Sequence, residues 1–442
     1  MISHKKLFNI SMPFALSMST NFIVQAIDSV MVAPHGSPAL AAVAVAATVL
    51  AIPSALTMGG LTMVQKKVAE ATSNDTSILA LNQGLFFGAL VSIPLAFIFY
   101  FLAEPIATLF ASGQVSKMAS TYIRFFAPAL VFIAINQAFG GYWVGTSKTG
   151  IRLAVTIAAA TINIIGNLIL VPSMGVGGLA LASAMAFFIS SLINLILCRK
   201  KIGFKLTWSG MRDFREAFKV FCGVASHQLS LILTLNIAVY IVGRIGVEAL
   251  AIANVVGVLS LPVLYLGIGY GTATGTLIVR ALKNQKPEDA RKIAALSLKQ
   301  VLFVSGCFAL VLLVGSDLLR RWFFRDPLTF EMAQVPFALL AILYLVDGVS
   351  CALQRFHFVT NGLRNSFLAM TLIQYGVFIP AAFVGVNYFG ISYTSYLYLH
   401  ILHRFLITLI LFSMWILKCQ NSNTEQIGQK KLNPPMAPRS VH

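Results

Sequence analysis

The chain has 442 residues, 58% of them hydrophobic and only 10% charged. Soluble domains carry about a quarter of their residues as charges, so a soluble, disordered, collagen-like or disulfide-framework protein is excluded. The formal charge of +18 comes from 32 Lys and Arg against 14 Asp and Glu. In so apolar a chain this excess points to membrane topology and away from nucleic acid, because no soluble domain is present to carry a basic face.

A helix crosses hydrocarbon with about 20 apolar residues. Twelve such stretches are predicted, at 10–32, 40–64, 79–102, 122–145, 153–171, 178–198, 221–242, 250–279, 295–318, 335–359, 367–388 and 396–417. The first is too long for the apolar region of a signal peptide and lacks a cleavage site, so it is expected to stay as a span. Residues 104–121 read as a short amphipathic piece lying at the interface. The longest polar interruption, 199–219, divides the spans into two sets of six. The expected units are an N-terminal lobe at 1–199, a cytoplasmic linker at 200–219, a C-terminal lobe at 220–418 and a disordered cytoplasmic tail at 419–442.

With the N-terminus in the cytoplasm, 25 of the 32 Lys and Arg fall on the cytoplasmic side and six on the other, with Arg404 inside the last span. This asymmetry favours both termini inside, and the bacterial inner membrane is the default location. The halves also repeat: Ala39-Leu-Ala leads to Pro53, Gly59 and Gly60, and Ala249-Leu-Ala leads to Pro262 and Gly267. Six spans return the chain to its starting side, so the repeat is parallel. Secondary transporters often place a substrate path between such halves. The predicted fold is therefore an all-α membrane protein of twelve transmembrane helices in two six-helix lobes, a V around a central cavity.

Two acids lie deep in apolar spans, Asp28 and Asp347. A carboxylate there costs several kcal/mol on insertion scales, so such residues usually line a cavity or an ion path. Ser17, Asn21, Gln25 and Asp28 follow helical spacing and form one polar face, as do Asn163 and Asn167 in the fifth span. Amides beside a carboxyl can hydrogen-bond to either protonation state, which suits a group that exchanges a proton; they could equally glue helices together. Next to Asp347, Gly348 leaves room for a merely structural polar contact.

His400, His403 and Arg404 do not read as a metal site, because a cation stands beside the imidazoles and no Cys or carboxylate joins them. Arg404 could line a cavity in the second half or pair with Asp347. Gly267, Gly271 and Gly275 recur every four residues with no preceding strand, which fits close helix packing rather than a phosphate loop. Cys198, Cys222, Cys307, Cys351 and Cys419 share no metal or redox spacing. Asn136, Tyr142 and Tyr344, with Asn21, Gln25, Asp28 and Arg404, are the candidates for contact with an amphipathic solute. Phe125, Phe126 and Tyr375 are further aromatic candidates.

Asp28-Ser-Val-Met-Val followed by Ala39-Leu-Ala-Ala-Val-Ala-Val-Ala resembles the first-helix signature of multidrug and toxic compound extrusion (MATE) transporters. Pro13, the run Thr161-Ile-Asn163-Ile-Ile-Gly-Asn167 and the turn at 246–255 are similar to that family as well. The resemblance covers nearly the whole chain to about Leu417. It implies a two-lobed exporter working by alternating access against H+ or Na+, with Asp28 and Asn163 in the first-half coupling site. Asn167 stands where one branch has an acid, Asp347 matches a helix-ten acid only loosely, and His227 and Gln228 lie where another branch has a glutamate. These departures favour H+ over Na+.

The expected function is export of cationic or amphipathic organic compounds, by a monomer in the lipid bilayer that needs no cofactor and no nucleic acid. A lipid-linked sugar or metabolite flippase of the same superfamily is the alternative, and it would want several basic residues in the cavity; by the span assignment Arg404 is the only one. An enzyme is not expected, since no catalytic cluster is legible.

Overall fold

A backbone in hydrocarbon must satisfy its own hydrogen bonds, so long apolar runs fold as helices. The computed structural model describes residues 4–35, 37–206, 214–324, 327–360 and 363–432, leaving out the side chains at 21–23, 25–26, 29, 33, 37, 214, 247, 251, 363 and 418–432. The first half contains α1 (His4–Val32), α2 (Ser37–Glu70), α3 (Asn74–Phe101), α4 (Ala103–Thr108), α5 (Gly113–Phe126), α6 (Ala129–Gly145), α7 (Thr149–Met174) and α8 (Val176–Ile202). The second contains α9 (Phe214–Gly243), α10 (Val247–Lys283), α11 (Pro287–Val314), α12 (Ser316–Phe323), α13 (Pro327–Met332), α14 (Gln334–Val359), α15 (Leu363–Thr371), α16 (Ile379–Phe389) and α17 (Tyr393–Leu432).

Ten helical segments, and the bent pair α5–α6, are long and apolar enough to cross a bilayer. Helix α1, with 29 residues, rises about 43 Å and is long enough as well. Local signals set the ends. Ser73 and Thr76 form a reciprocal cap at the start of α3, and Gly203 ends α8 in the left-handed conformation at φ 66°.

Three expectations are revised. The amphipathic stretch at 104–121 is two pieces, α4 and the first part of α5. Helix α5 then turns by 48° into α6 across Ala127 and Pro128, where the proline has no N–H to donate. The eleventh span is interrupted by a π-helical segment, Leu372–Phe378, between α15 and α16. Such segments are rare and cluster at functional sites. Finally, in the tail expected to be disordered from 419, α17 continues from the last span as far as Leu432.

The two halves pack differently at the two ends of the molecule. At the end carrying Val32, each half has its own core: Val32, Ala39, Leu130 and Leu179 in the first, and Ile241, Ile252, Leu340 and Leu397 in the second. At the opposite end the halves share cores. Leu7 and Ala15 of α1 pack with Tyr270 and Phe356, while Ala217 and Phe221 of α9 pack with Met63 and Phe139. The first helix of each half thus crosses into the other, closing one end of the V.

Hydrogen bonds follow the same division. Gln65 Nε2 on α2 donates to the Thr272 carbonyl at 2.5 Å and to Thr276 Oγ1 at 3.1 Å on α10. Arg280 on α10 donates to the Gly145 carbonyl at 2.5 Å and to Ser147 Oγ at 3.1 Å, and Lys66 pairs with Glu216 of α9 at 2.9 Å. The close fit needs glycine: a Cβ at Gly269 would collide with the backbone of Ala15, and one at Gly59 with that of Phe221. Gly267, Gly271 and Gly275 press α10 onto α14, against Gly348, Ala352 and Val359, as their spacing predicts.

Candidate functional site

In the half of the molecule where the cores part, α1 lies along α7. Asp28 is 8% exposed, and Asn163 and Asn167, four residues apart on α7, are more deeply buried. Asn167 Nδ2 donates to Asp28 Oδ1 at 2.6 Å and to Asn163 Oδ1 at 3.2 Å. Asn163 Nδ2 donates in turn to Ser183 Oγ on α8 at 2.9 Å. The turn at Gly175, with φ 55°, folds α8 back along α7 so that this contact can form. Tyr122 of α5 is buried beside Ser183 and near Asp28. Asn167 Oδ1 is buried with no hydrogen-bond partner among the described residues. One carboxyl therefore faces an amide with a donor engaged and an acceptor free.

The second half has its own buried polar cluster. Arg404 of α17 pairs with Asp347 of α14, their side chains 11% and 12% exposed, and Arg404 Nη2 lies 3.9 Å from Cys351 Sγ. The π-helical segment contributes Gln374, which bonds Thr234 of α9, and Tyr375, whose hydroxyl donates to the Ser230 carbonyl at 2.8 Å. Phe378 at its end stacks on His403, ring centroids 4.4 Å apart. Tyr344 donates to the Leu259 carbonyl at 2.6 Å.

The sequence profile of the MatE family matches residues 13–169 and 224–385, well over half of the chain and most of both halves. The chain belongs to the MatE family. It is 20% identical over 352 residues to an uncharacterized transporter, YisQ, of Bacillus subtilis, covering 76% of this chain and 77% of that one. It is 25% identical over 223 residues to rabbit (Oryctolagus cuniculus) multidrug and toxin extrusion protein 1, covering 48% of this chain but only 39% of that one. Among solved structures, that of MATE in complex with MaL6 superimposes with a TM-score of 0.86 at 15% identity, over 96% of this chain and 98% of that one. The last comparison speaks to fold alone. Together with the apolar helices, family membership makes this a multi-pass membrane transporter.

Of the residues singled out from the sequence of this MatE protein, Asp28, Asn163 and Asn167 come together, as do Asp347 and Arg404. Asn21 and Gln25 belong to α1, but their side chains lie outside the described residues. Asn136 is taken up elsewhere: it donates to the Phe187 carbonyl, Ser190 and Ser191, and accepts from Asn194, tying α6 to α8. Tyr142 is buried against Trp143 in the closed-end core. Tyr122 and Ser183 were not singled out, since no spacing within one helix links them to Asp28.

One assignment is corrected. From the sequence Arg355 is counted among the cytoplasmic charges although it falls inside the predicted span 335–359, leaving Arg404 the only deep cation. Helix α14 ends at Val359 as predicted, but Arg355, one turn before that end, is only 5% exposed.

Proposed function

We propose that this chain exports cationic or amphipathic organic compounds by alternating access in exchange for H+, with Asp28 as the group that gains and loses the proton. The observation that carries this reading is the Asn167 amide. Its Nδ2 donates to Asp28, as an ionised carboxylate requires, while its buried Oδ1 has no partner. A protonated carboxyl needs an acceptor for its O–H, and a half-turn of the Asn167 amide supplies one. The same side chain thus satisfies both protonation states, and Asn163 and Ser183 extend the response to α8. Donors pointing at the carboxylate favour a proton over Na+, which needs several oxygens converging on it.

We take the closed end and both termini to lie in the cytoplasm of a bacterial inner membrane, because most of the basic residues fall on that side. The open end then faces outward, and Asp28 awaits a proton from outside. Protonation displaces a cationic solute from the carboxylate. The neutral form then converts to the inward-facing state, where the proton leaves and a new solute binds. Exchange of this kind requires only that the two conformations differ in affinity for proton and solute.

Everted vesicles carrying the protein test this directly, with ethidium transport driven by an imposed pH gradient or by an imposed Na+ gradient. The pH gradient drives wild-type transport, and Asp28→Asn reaches the membrane at normal abundance but transports nothing above the empty-vesicle rate. Undiminished ethidium transport by Asp28→Asn, or transport driven by Na+ alone, would overturn the reading.

A further inference from the structure

Asp347, Cys351 and Arg355 recur every four residues and share one face of α14. All three are buried, at 9%, 3% and 5% exposure. Arg404 reaches that face from α17, pairing with Asp347 and touching Cys351. Arg355 has no such partner. Among the described residues its guanidinium has no carboxylate and no hydrogen-bond acceptor, and its one recorded contact is the Phe358 ring, 5.4 Å from Cζ to centroid. His227 of α9 packs edge-on against the same ring at 4.7 Å, within Coulombic reach of both Arg355 and Arg404. Its Nε2 is buried without a partner.

The charge balance around these residues does not close. Asp347 neutralises Arg404, which leaves Arg355. The other acids of this half whose side chains are described, Glu216, Glu248, Glu288, Asp289, Asp317 and Glu331, lie in first turns or in a short end helix, away from Arg355. Arginine does not shed its proton in proteins, and a cation–π contact offsets only part of what burying an unpaired cation costs. A guanidinium held this way lacks an anion.

We propose that Arg355 binds an oxyanion, the carboxylate or phosphate group of an amphipathic solute. Its guanidinium presents a planar fork that matches two oxygens of such a group, and Phe358 supplies an apolar surface beside it. The inference rests on the export reading only in taking the ligand to be a transported solute. It then extends the substrate class to zwitterions and amphipathic anions, with positive charge near Asp28 and negative charge in the second half.

The test is binding to the purified full-length protein in detergent, by calorimetry and thermal unfolding, with benzoate and phenyl phosphate as probes and benzyl alcohol as the uncharged control. Wild type gives saturable binding of at least one oxyanion and none of benzyl alcohol; the preferred probe distinguishes carboxylate from phosphate. Arg355→Gln weakens that binding at least tenfold, Arg355→Lys by less. Without ligand, Arg355→Gln unfolds at the wild-type temperature or above, because the unpaired charge is gone. Asp28→Asn loses transport but keeps oxyanion binding, so the two proposals fail separately. Absence of saturable binding to wild type, undiminished binding to Arg355→Gln, or a lowered unfolding temperature for ligand-free Arg355→Gln each overturns the inference.

Discussion

Substituting Arg280 by Gln measures how firmly the closed end of the V is held. Arg280 crosses from α10 to the end of α6, donating to the Gly145 carbonyl at 2.5 Å and to Ser147 Oγ at 3.1 Å. Hydrogen bonds from a charged donor contribute about 1.5–3 kcal/mol each. Arg280 is only partly buried, so water replaces some of this when the bonds break, and a combined loss of about 1.5–3 kcal/mol is the reasonable range. Both bonds exist only while the halves meet at this end, so the loss falls on the closed state and shifts the population toward the state open there. At about 1.4 kcal/mol per decade the shift is roughly ten- to hundredfold. The reporter is Ala273→Cys, a fully buried position in the core shared by Phe14, Leu61 and Val144, in a chain whose five native cysteines are replaced by alanine. Maleimide reaches that thiol only when the closed end opens, so its labelling rate follows the open population. Arg280→Gln accelerates labelling by that factor. A rate within twofold of the parent would show that these bonds do not hold the end shut.

Three further outcomes follow. Arg404→Met leaves the Asp347 carboxylate buried and unpaired, which costs about 3–5 kcal/mol; adding Asp347→Asn recovers most of it, as read by thermal unfolding, and a double variant less stable than Arg404→Met alone contradicts the pairing. Tyr122→Phe removes the hydroxyl that stands beside Ser183 near Asp28; pH-driven efflux falls severalfold without vanishing, and an unaltered rate removes Tyr122 from the site. Gly269→Val drives a side chain into the backbone of Ala15 and costs about 1–3 kcal/mol at that contact; it too speeds labelling of Ala273→Cys, whereas slower labelling would mean that the helices accommodate it.

What the sequence revealed was what is local. Apolar runs of sufficient length marked the long helices, and spacing of three or four put Asp28 on a polar face of α1 and paired Asn163 with Asn167. The bond from Asn167 to Asp28 depends on how α1 packs along α7, which no single-helix pattern encodes. Ser183 and Tyr122 escaped for that reason, being a common serine and an aromatic at a span's edge. Arg355 was misplaced because a basic residue one turn from the end of an apolar run looks the same whether it reaches out to water or turns inward. The bend between α5 and α6 and the π-helical segment change hydrogen bonding without changing hydropathy, so the apolar profile passed over both.

The crossing of α1 gives the carboxyl a physical connection to the closed end. Its first half is built into the core of the second lobe through Leu7 and Ala15, with Ser11 near Thr274 at 3.4 Å. Its last turns belong to the first lobe, through Asp28 and Val32. When the halves part at the closed end, the first half of α1 must leave Gly269 and Ala15 must lose its seat on α10. A rigid helix cannot make that move without shifting its other end relative to Asn167. On the proposed reading, a proton at Asp28 that loosens the grip of Asn167 lowers the resistance to this movement, and an ionised Asp28 held at 2.6 Å raises it. Coupling of this kind needs no chain of contacts across the cavity, since one helix is anchored at both of the places whose states must agree.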